Sequence, residues 1–262
     1  EESFSSEDEY DIIYSNINYL NLLFQEHIRA TEASEDALRS YYVDYYLAQV
    51  NNGGFSQFVY NSGWSSETNR YIKEGLKLME ARKNLALFEK SSQILDKFGS
   101  ERIGEYLDSE YFGDNEDRDI LNSFDDQFYN LQKGEDLIHL NSLWLKKHDK
   151  LKVLNNEQIT KQVAKIAGSI PDRELRIQTS LEAEPRYMKI IRALCKEAGQ
   201  KLDRVTAGDP SNVYNGNQVL AWNFLTDSGH HYMIDHEGKA IMFNGESEEI
   251  VKEIVAGKKY GK

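Results

Sequence analysis

The run Gln49-Val50-Asn51-Asn52-Gly53-Gly54-Phe55-Ser56-Gln57-Phe58-Val59-Tyr60-Asn61-Ser62-Gly63 decides how the first half of this chain is read. Upstream, Ser34 followed by Glu35 and Asp36 has the form of a helix N-cap with acids in the first turn. The helix it opens carries Leu38, Tyr42, Tyr45, Tyr46 and Val50 and is predicted to stop at Asn51-Asn52-Gly53-Gly54, where glycine can turn left-handed. A short aromatic-rich helix then follows, closed by Gly63. Phe55 and Phe58 are candidate core residues. Gln57 and Asn61 are four apart and share a face, so their amides can either brace neighbouring helix ends or hold a ligand. No strand precedes the glycines and no Lys-Ser/Thr follows them, which excludes a phosphate-binding loop.

Working outward, the first half reads as helices. Ile13, Ile17, Leu20, Phe24 and Ile28 recur at helical spacing, after an acidic, Ser-rich N-terminal tail. Further helical patterns cover about 66–82, 84–98, 101–112, 116–131 and 135–148, and no proline occurs before Pro171. A polar helix at 157–168 ends at Gly168 and leads into a candidate linker. A helix at 186–199 follows, then strand-like runs at 218–226, 230–235 and 239–243 joined by glycine-containing turns, and a last helix is predicted at 247–256. The expected fold class is a mainly α N-terminal domain (1–155) followed by a small α+β domain (170–262), an antiparallel three-stranded meander with flanking helices.

Charge separates the halves. The chain carries −13 overall, but residues 1–150 hold 29 Asp and Glu against 15 Lys and Arg, a net −14. Direct nucleic-acid binding needs a basic patch, so the first half is expected to meet a basic protein instead. The stretch 101–126 concentrates the effect, with Glu101, Glu105, Asp108, Glu110, Asp114, Glu116, Asp117, Asp119, Asp125 and Asp126 opposed only by Arg102 and Arg118. In the helix expected at 116–131, Ile120, Leu121, Phe124, Phe128 and Leu131 form the apolar face, Asp119 and Asp126 point away from it, and Asp125 flanks it. Such carboxylates either capture a basic partner or simply keep a helix face solvated.

The glycine run, with the pattern N-G-G-F-x-Q-[FY]-x-x-N-x-x-G, resembles the signature of the bacterial DNA-mimic protein family. A second stretch, Phe124-Asp125-Asp126-Gln127-Phe128-Tyr129-Asn130-Leu131 with Glu135-Asp136-Leu137, resembles that family's later helix pair. The resemblance covers about residues 35–150 and leaves 165–262 outside. It implies a helical fold whose surface carboxylates imitate DNA phosphates and capture a DNA-binding protein such as a transcriptional regulator. The partner-binding residues expected on this reading are Glu105, Asp108, Glu110, Asp114, Glu116, Asp117, Asp119, Asp125 and Asp126. Asn52, Gly53, Gly54, Phe55, Gln57, Asn61 and Gly63 form the motif.

Other chemistries find little support. The lone Cys195 can form no internal disulfide, and no neighbouring His suggests an activated thiolate. Asp114-Asn115-Glu116-Asp117 lacks the glycine and later Glu of an EF-hand loop; of His230, His231 and His236 the last falls in a predicted turn, and no Cys or well-spaced Glu joins them to make a zinc site. No hydrolase, zinc-protease or dinucleotide motif is present. The expectation is therefore a cytoplasmic, non-catalytic interaction protein without metal or cofactor. A toxin-blocking immunity protein, and a ligand-binding protein or enzyme with a cleft near Gln57 and Asn61, are the alternatives. No apolar run approaches the roughly 20 residues of a membrane span. The N-terminus, which lacks an initiating Met, reads as trimmed or processed.

Overall fold

A computed structural model describes residues 1–110, 113–257 and 260. The chain divides into two compact units, Glu1–Arg173 and Glu174–Lys262.

The first unit is helical. Its elements are α1 (Glu2–Ser5), α2 (Tyr10–Gln25), α3 (Glu35–Ser62), α4 (Ser66–Leu78), α5 (Arg82–Asp108), α6 (Glu116–Asn122), α7 (Asp125–Gln132), α8 (Leu137–Lys146) and α9 (Asn156–Gly168). Ser34 caps α3 as read, its Oγ accepting from the Ala37 amide. The helical run is interrupted at the glycines as expected: Gly53 and Gly54 leave helical geometry, and a second helical segment follows to Ser62, where Gly63 ends it with φ 59°. The patterns at 84–98 and 101–112 are likewise separated within α5 by the non-helical Gly99 (φ 74°), and positions 111–112 of that expectation lie outside the described residues. The helix expected over 116–131 is instead two, α6 and α7, broken at Ser123-Phe124.

The core is aromatic. Tyr46 lies at its centre, with ring centroids of Phe58, Phe88 and Phe128 at 5.1, 5.1 and 5.3 Å in edge-on geometry. Edge-to-face packing sets the positive rim of one ring against the negative face of the next. Leu121 and Phe124 join this core, but Ile120, expected on the apolar face, is 39% exposed. Gly75 in α4 acts as a contact surface: a Cβ there would lie 2.7 Å from Val43 Cγ2 and 3.0 Å from the Arg39 carbonyl of α3. The two helices therefore approach more closely than any larger residue permits.

The second unit holds most of α10 (Arg173–Ala183), which begins at the boundary, and α11 (Arg186–Ala198). Its strands are β1 (Leu202–Asp209), β2 (Val213–Tyr214), β3 (Asn217–Gln218), β4 (Ala221–Thr226), β5 (Gly229–His236), β6 (Lys239–Asn244) and β7 (Ile250–Val255). The expected meander is present as β4, β5 and β6, yet the sheet has five antiparallel strands in the order β1-β4-β5-β6-β7. Two strands escaped the sequence reading for different reasons. β1 is mostly exposed and broken by two register shifts against β4, so it shows no alternation. The helix predicted at 247–256 is in fact β7: Ile250, Val251, Ile254 and Val255 repeat at helical spacing, but all are β-branched, and Ile250, Ile254 and Val255 pair with β6. Residues 217–218 belong to a separate two-stranded ladder with β2.

Both sheet faces are apolar. Phe224, Met233, Ala240 and Met242 pack with Ile190, Ile191, Leu194 and Cys195 of α11. Ala221, Ile234, Ile241 and Phe243 on the opposite face pack with Tyr214 and Val219. Two covered faces explain why 240–243 reads as a continuous apolar run without alternation.

Candidate functional site

The glycine motif builds a helix start in the middle of α3. Gly53 (φ −158°, ψ 26°) and Gly54 (φ 81°, ψ 178°) leave helical geometry, so the Phe55 and Ser56 amides lose the carbonyls they would otherwise bond. Side chains 66 and 70 residues away take their place. Asp125 Oδ1 accepts from the Phe55 amide at 2.8 Å, and Asn122 Oδ1 accepts from the Ser56 amide at 3.2 Å. These are N-caps supplied from the end of α6 and the start of α7. The upstream end is also bound, Tyr129 of α7 donating to the Val50 carbonyl at 2.9 Å, while on the downstream segment Tyr106 of α5 donates to the Ser56 carbonyl at 3.1 Å.

Gln57 and Asn61 complete the bend. Both amides donate to Gln49 Oε1, at 3.1 and 2.6 Å, tying the two halves of α3 together across the kink. Gln49 is the partner that sequence reasoning did not single out. Asn52 is exposed beside the kink, while Phe55 is buried in the aromatic core. Grooves of this unit lie elsewhere, one lined by Ile12, Asn16, Asp36, Trp144 and His148, another by Leu22, Glu26, Thr160 and Val163.

A second cap of this type joins the later motif to α5. That helix has no cap of its own at Ala81. Instead, Glu135 accepts from the Lys83 and Asn84 amides at 3.0 and 2.7 Å and from Asn84 Nδ2 at 2.8 Å. Asp136 caps α8 through the Ile138 amide at 2.8 Å. Three carboxylates of the second stretch, Asp125, Glu135 and Asp136, thus serve as helix caps.

The remaining expected partner-binding residues divide by exposure. Glu105, Asp108, Glu110, Asp114, Glu116, Asp119 and Asp126 are exposed. Asp117 is half-buried and forked by Arg102, whose Nε lies 2.9 Å from Oδ1. That hydrogen bond to Asp117 holds the guanidinium above its ordinary pKa. Arg118 is 3.9 Å from Asp119. Asp125 is half-buried on the inner side of α7. Burial raises its carboxyl above the usual carboxylate range, the Phe55 amide opposes that rise, and Asp126 adds to it. Glu116, Asp117 and Asp119 also stand in the first turn of α6, where the helix dipole favours them.

The histidines do not converge on a site. His230 Nε2 lies 3.0 Å from Asn223 Oδ1, His231 is buried with Nδ1 3.1 Å from the Gly229 carbonyl, and His236 lies edge-on to Tyr214. Among the described residues no group of three or more His, Cys, Asp and Glu could hold a metal, and no helix is long and apolar enough to cross a membrane. Cys195 is buried against the sheet, and burial pushes its thiol up to about 11.

Removing the crossed caps tests this geometry directly. Asn122→Ala and Asp125→Ala are each expected to lower stability by about 1–2 kcal/mol in urea unfolding. Asp126→Ala, one residue away but exposed, should stay within about 0.5 kcal/mol of wild type. Equal effects at 125 and 126 would rule out the cap assignment.

The first unit is therefore a helical, carboxylate-bearing domain bent and locked at a glycine pair. Residues 31–148 of it match the family model described as DMP19-like protein, a span running from just before α3 to just after α8. The resemblance to the DNA-mimic family holds over that span, which includes neither α2 and α9 nor the sheet unit. Neither a curated protein nor a solved structure matches the chain at a significant level.

Proposed function

We propose that the DMP19-like unit is a non-catalytic interaction module, one that presents a carboxylate face to a basic, DNA-binding protein and so stands in for DNA phosphates. The supporting observation is the run of exposed Glu105, Asp108, Glu110, Asp114, Glu116, Asp119 and Asp126, in a stretch whose two arginines already lie beside Asp117 and Asp119. A mimic of duplex DNA needs closely spaced charges, because DNA presents one per roughly 1.7 Å of its axis. It also needs them on a fixed support. The caps from Asn122 and Asp125 to α3 dock the α6–α7 segment against the core, which links the family motif to the placement of the acids. The ligand-cleft alternative loses its footing, since Gln57 and Asn61 are both engaged with Gln49.

The test is capture from a lysate at low salt, followed by affinity measurement with the purified partner. Asp114→Asn, Glu116→Gln, Asp119→Asn and Asp126→Asn combined should weaken binding by about 3 kcal/mol, roughly a hundredfold, at under 1 kcal/mol per exposed charge. Wild-type binding should weaken as salt rises. An unchanged affinity in the quadruple variant, with the fold intact, would refute this face.

A further inference from the structure

The seam where α2 lies on α3 and α8 holds a cluster of buried polar groups. Asp44 of α3 is buried, at 8% exposure, and the Tyr10 hydroxyl of α2 reaches it only at 3.5 Å. Ser40, one turn earlier on the same face, is fully buried, and Asn141 of α8 donates to its carbonyl at 3.1 Å. Among the described residues, Ser40 Oγ and Asn141 Oδ1 find no hydrogen-bond partner. The titratable groups around Asp44 are Tyr10 of α2 and Tyr41 of α3, neither of them cationic. On α8 the neighbouring ionisable group, His139, lies 2.8 Å from Glu9, and no ion pair neutralises Asp44 among the described residues. A carboxylate in such a place has one long donor, no counter-charge and incompletely bonded neighbours.

We propose that this seam is an acid-tightened latch: α2 is held closed when Asp44 is protonated and opens more readily when it is ionised. Burial pushes the Asp44 carboxyl up to about 6 from 3.8, and the Tyr10 hydrogen bond opposes the rise only partly. The closed state therefore binds the proton more tightly than the open one. Its support is complete below the ordinary carboxylate value and is lost as pH rises through about 6. The seam joins α2, which precedes the DMP19-like span, to two helices inside that span. Opening would uncover Ile12, Ile13, Leu20 and Leu23. The idea stands independently of the acidic face, which lies on other elements.

Hydrogen exchange of the α2 amides in the full chain, corrected for intrinsic rates, tests it. Between pH 5 and 7.5 protection should fall about tenfold, following the displaced titration. Asp44→Asn should flatten that dependence and raise protection at pH 7.5. Tyr10→Phe keeps the carboxylate but removes its donor, so it should steepen the fall. The carboxyl ¹³C titration of Asp44 should centre near 6. A midpoint near the ordinary value of 3.8, or the same pH slope in Asp44→Asn, would overturn the proposal.

Discussion

Gly54→Ala should lower the stability of the helical unit by about 4 kcal/mol, a large share of the roughly 5–15 kcal/mol available to a domain. Two causes combine. The backbone at φ 81° and ψ 178° lies in a region essentially reserved for glycine, worth about 1–3 kcal/mol for any other residue. A Cβ would also sit 2.3 Å from Asp125 Oδ2 and 2.8 Å from Asn122 Oδ1, the two side chains that cap the next helical segment. Relieving the clash means withdrawing the caps, which adds about 1–2 kcal/mol. Gly63 is the control. It too has positive φ, 59°, but a Cβ there meets nothing within 4 Å, so Gly63→Ala should cost only about 1 kcal/mol. Gly53→Ala meets the movable Gln57 side chain and should fall between them. Urea unfolding of the three variants orders them. Gly54→Ala as mild as Gly63→Ala would show that the crossed cap is not what holds the bend.

Phe58→Ala is expected to cost about 3–5 kcal/mol. Its side chain is fully buried, and its ring lies within 5.1–6.2 Å of Tyr45, Tyr46, Phe55, Trp64 and Phe88. Removal leaves a cavity walled by rigid rings on separate parts of the chain, which cannot easily close. Phe58→Leu keeps most of the volume and should cost less than about 2 kcal/mol. The change should appear in the fluorescence of Trp64, the ring's neighbour, whereas Trp222 reports on the sheet unit. A Phe58→Ala loss below about 1 kcal/mol would mean that the aromatic cluster is loosely packed.

These two residues also show what could be read in the chain. Phe58 belongs to the core because apolar side chains at helical spacing in an amphipathic segment must be buried somewhere, and that inference needs no partner. Gly54 was legible only as an interruption. Left-handed freedom is a property of glycine, but whether the chain stops or bends there depends on what binds the freed amides. The donors to be satisfied were local, while the acceptors, Asn122 and Asp125, lie some 70 positions away. Asp125 thus looked like one more surface acid and serves instead as a cap, as does Glu135. Spacing cannot tell a carboxylate that faces water from one that faces an amide. β7 failed for the opposite reason: its own pattern fits a helix, and pairing with β6 overrode it.

The sequence alone determined the helical first half, the position of the bend, the aromatic identity of the core, three of the five strands in the main sheet and the crowding of negative charge into residues 101–126. All of these follow from local periodicity, backbone freedom or composition, which are carried by neighbouring residues. Tertiary structure alone decided that Asn122 and Asp125 bind the amides freed at the glycines of α3, that β1 and β7 complete the sheet, that Gly75 admits α3 against α4, and which acids cap helices and which remain on the surface. Those outcomes depend on hydrogen bonds and contacts between distant segments, whose free energies outweigh local preference only once the chain has brought them together.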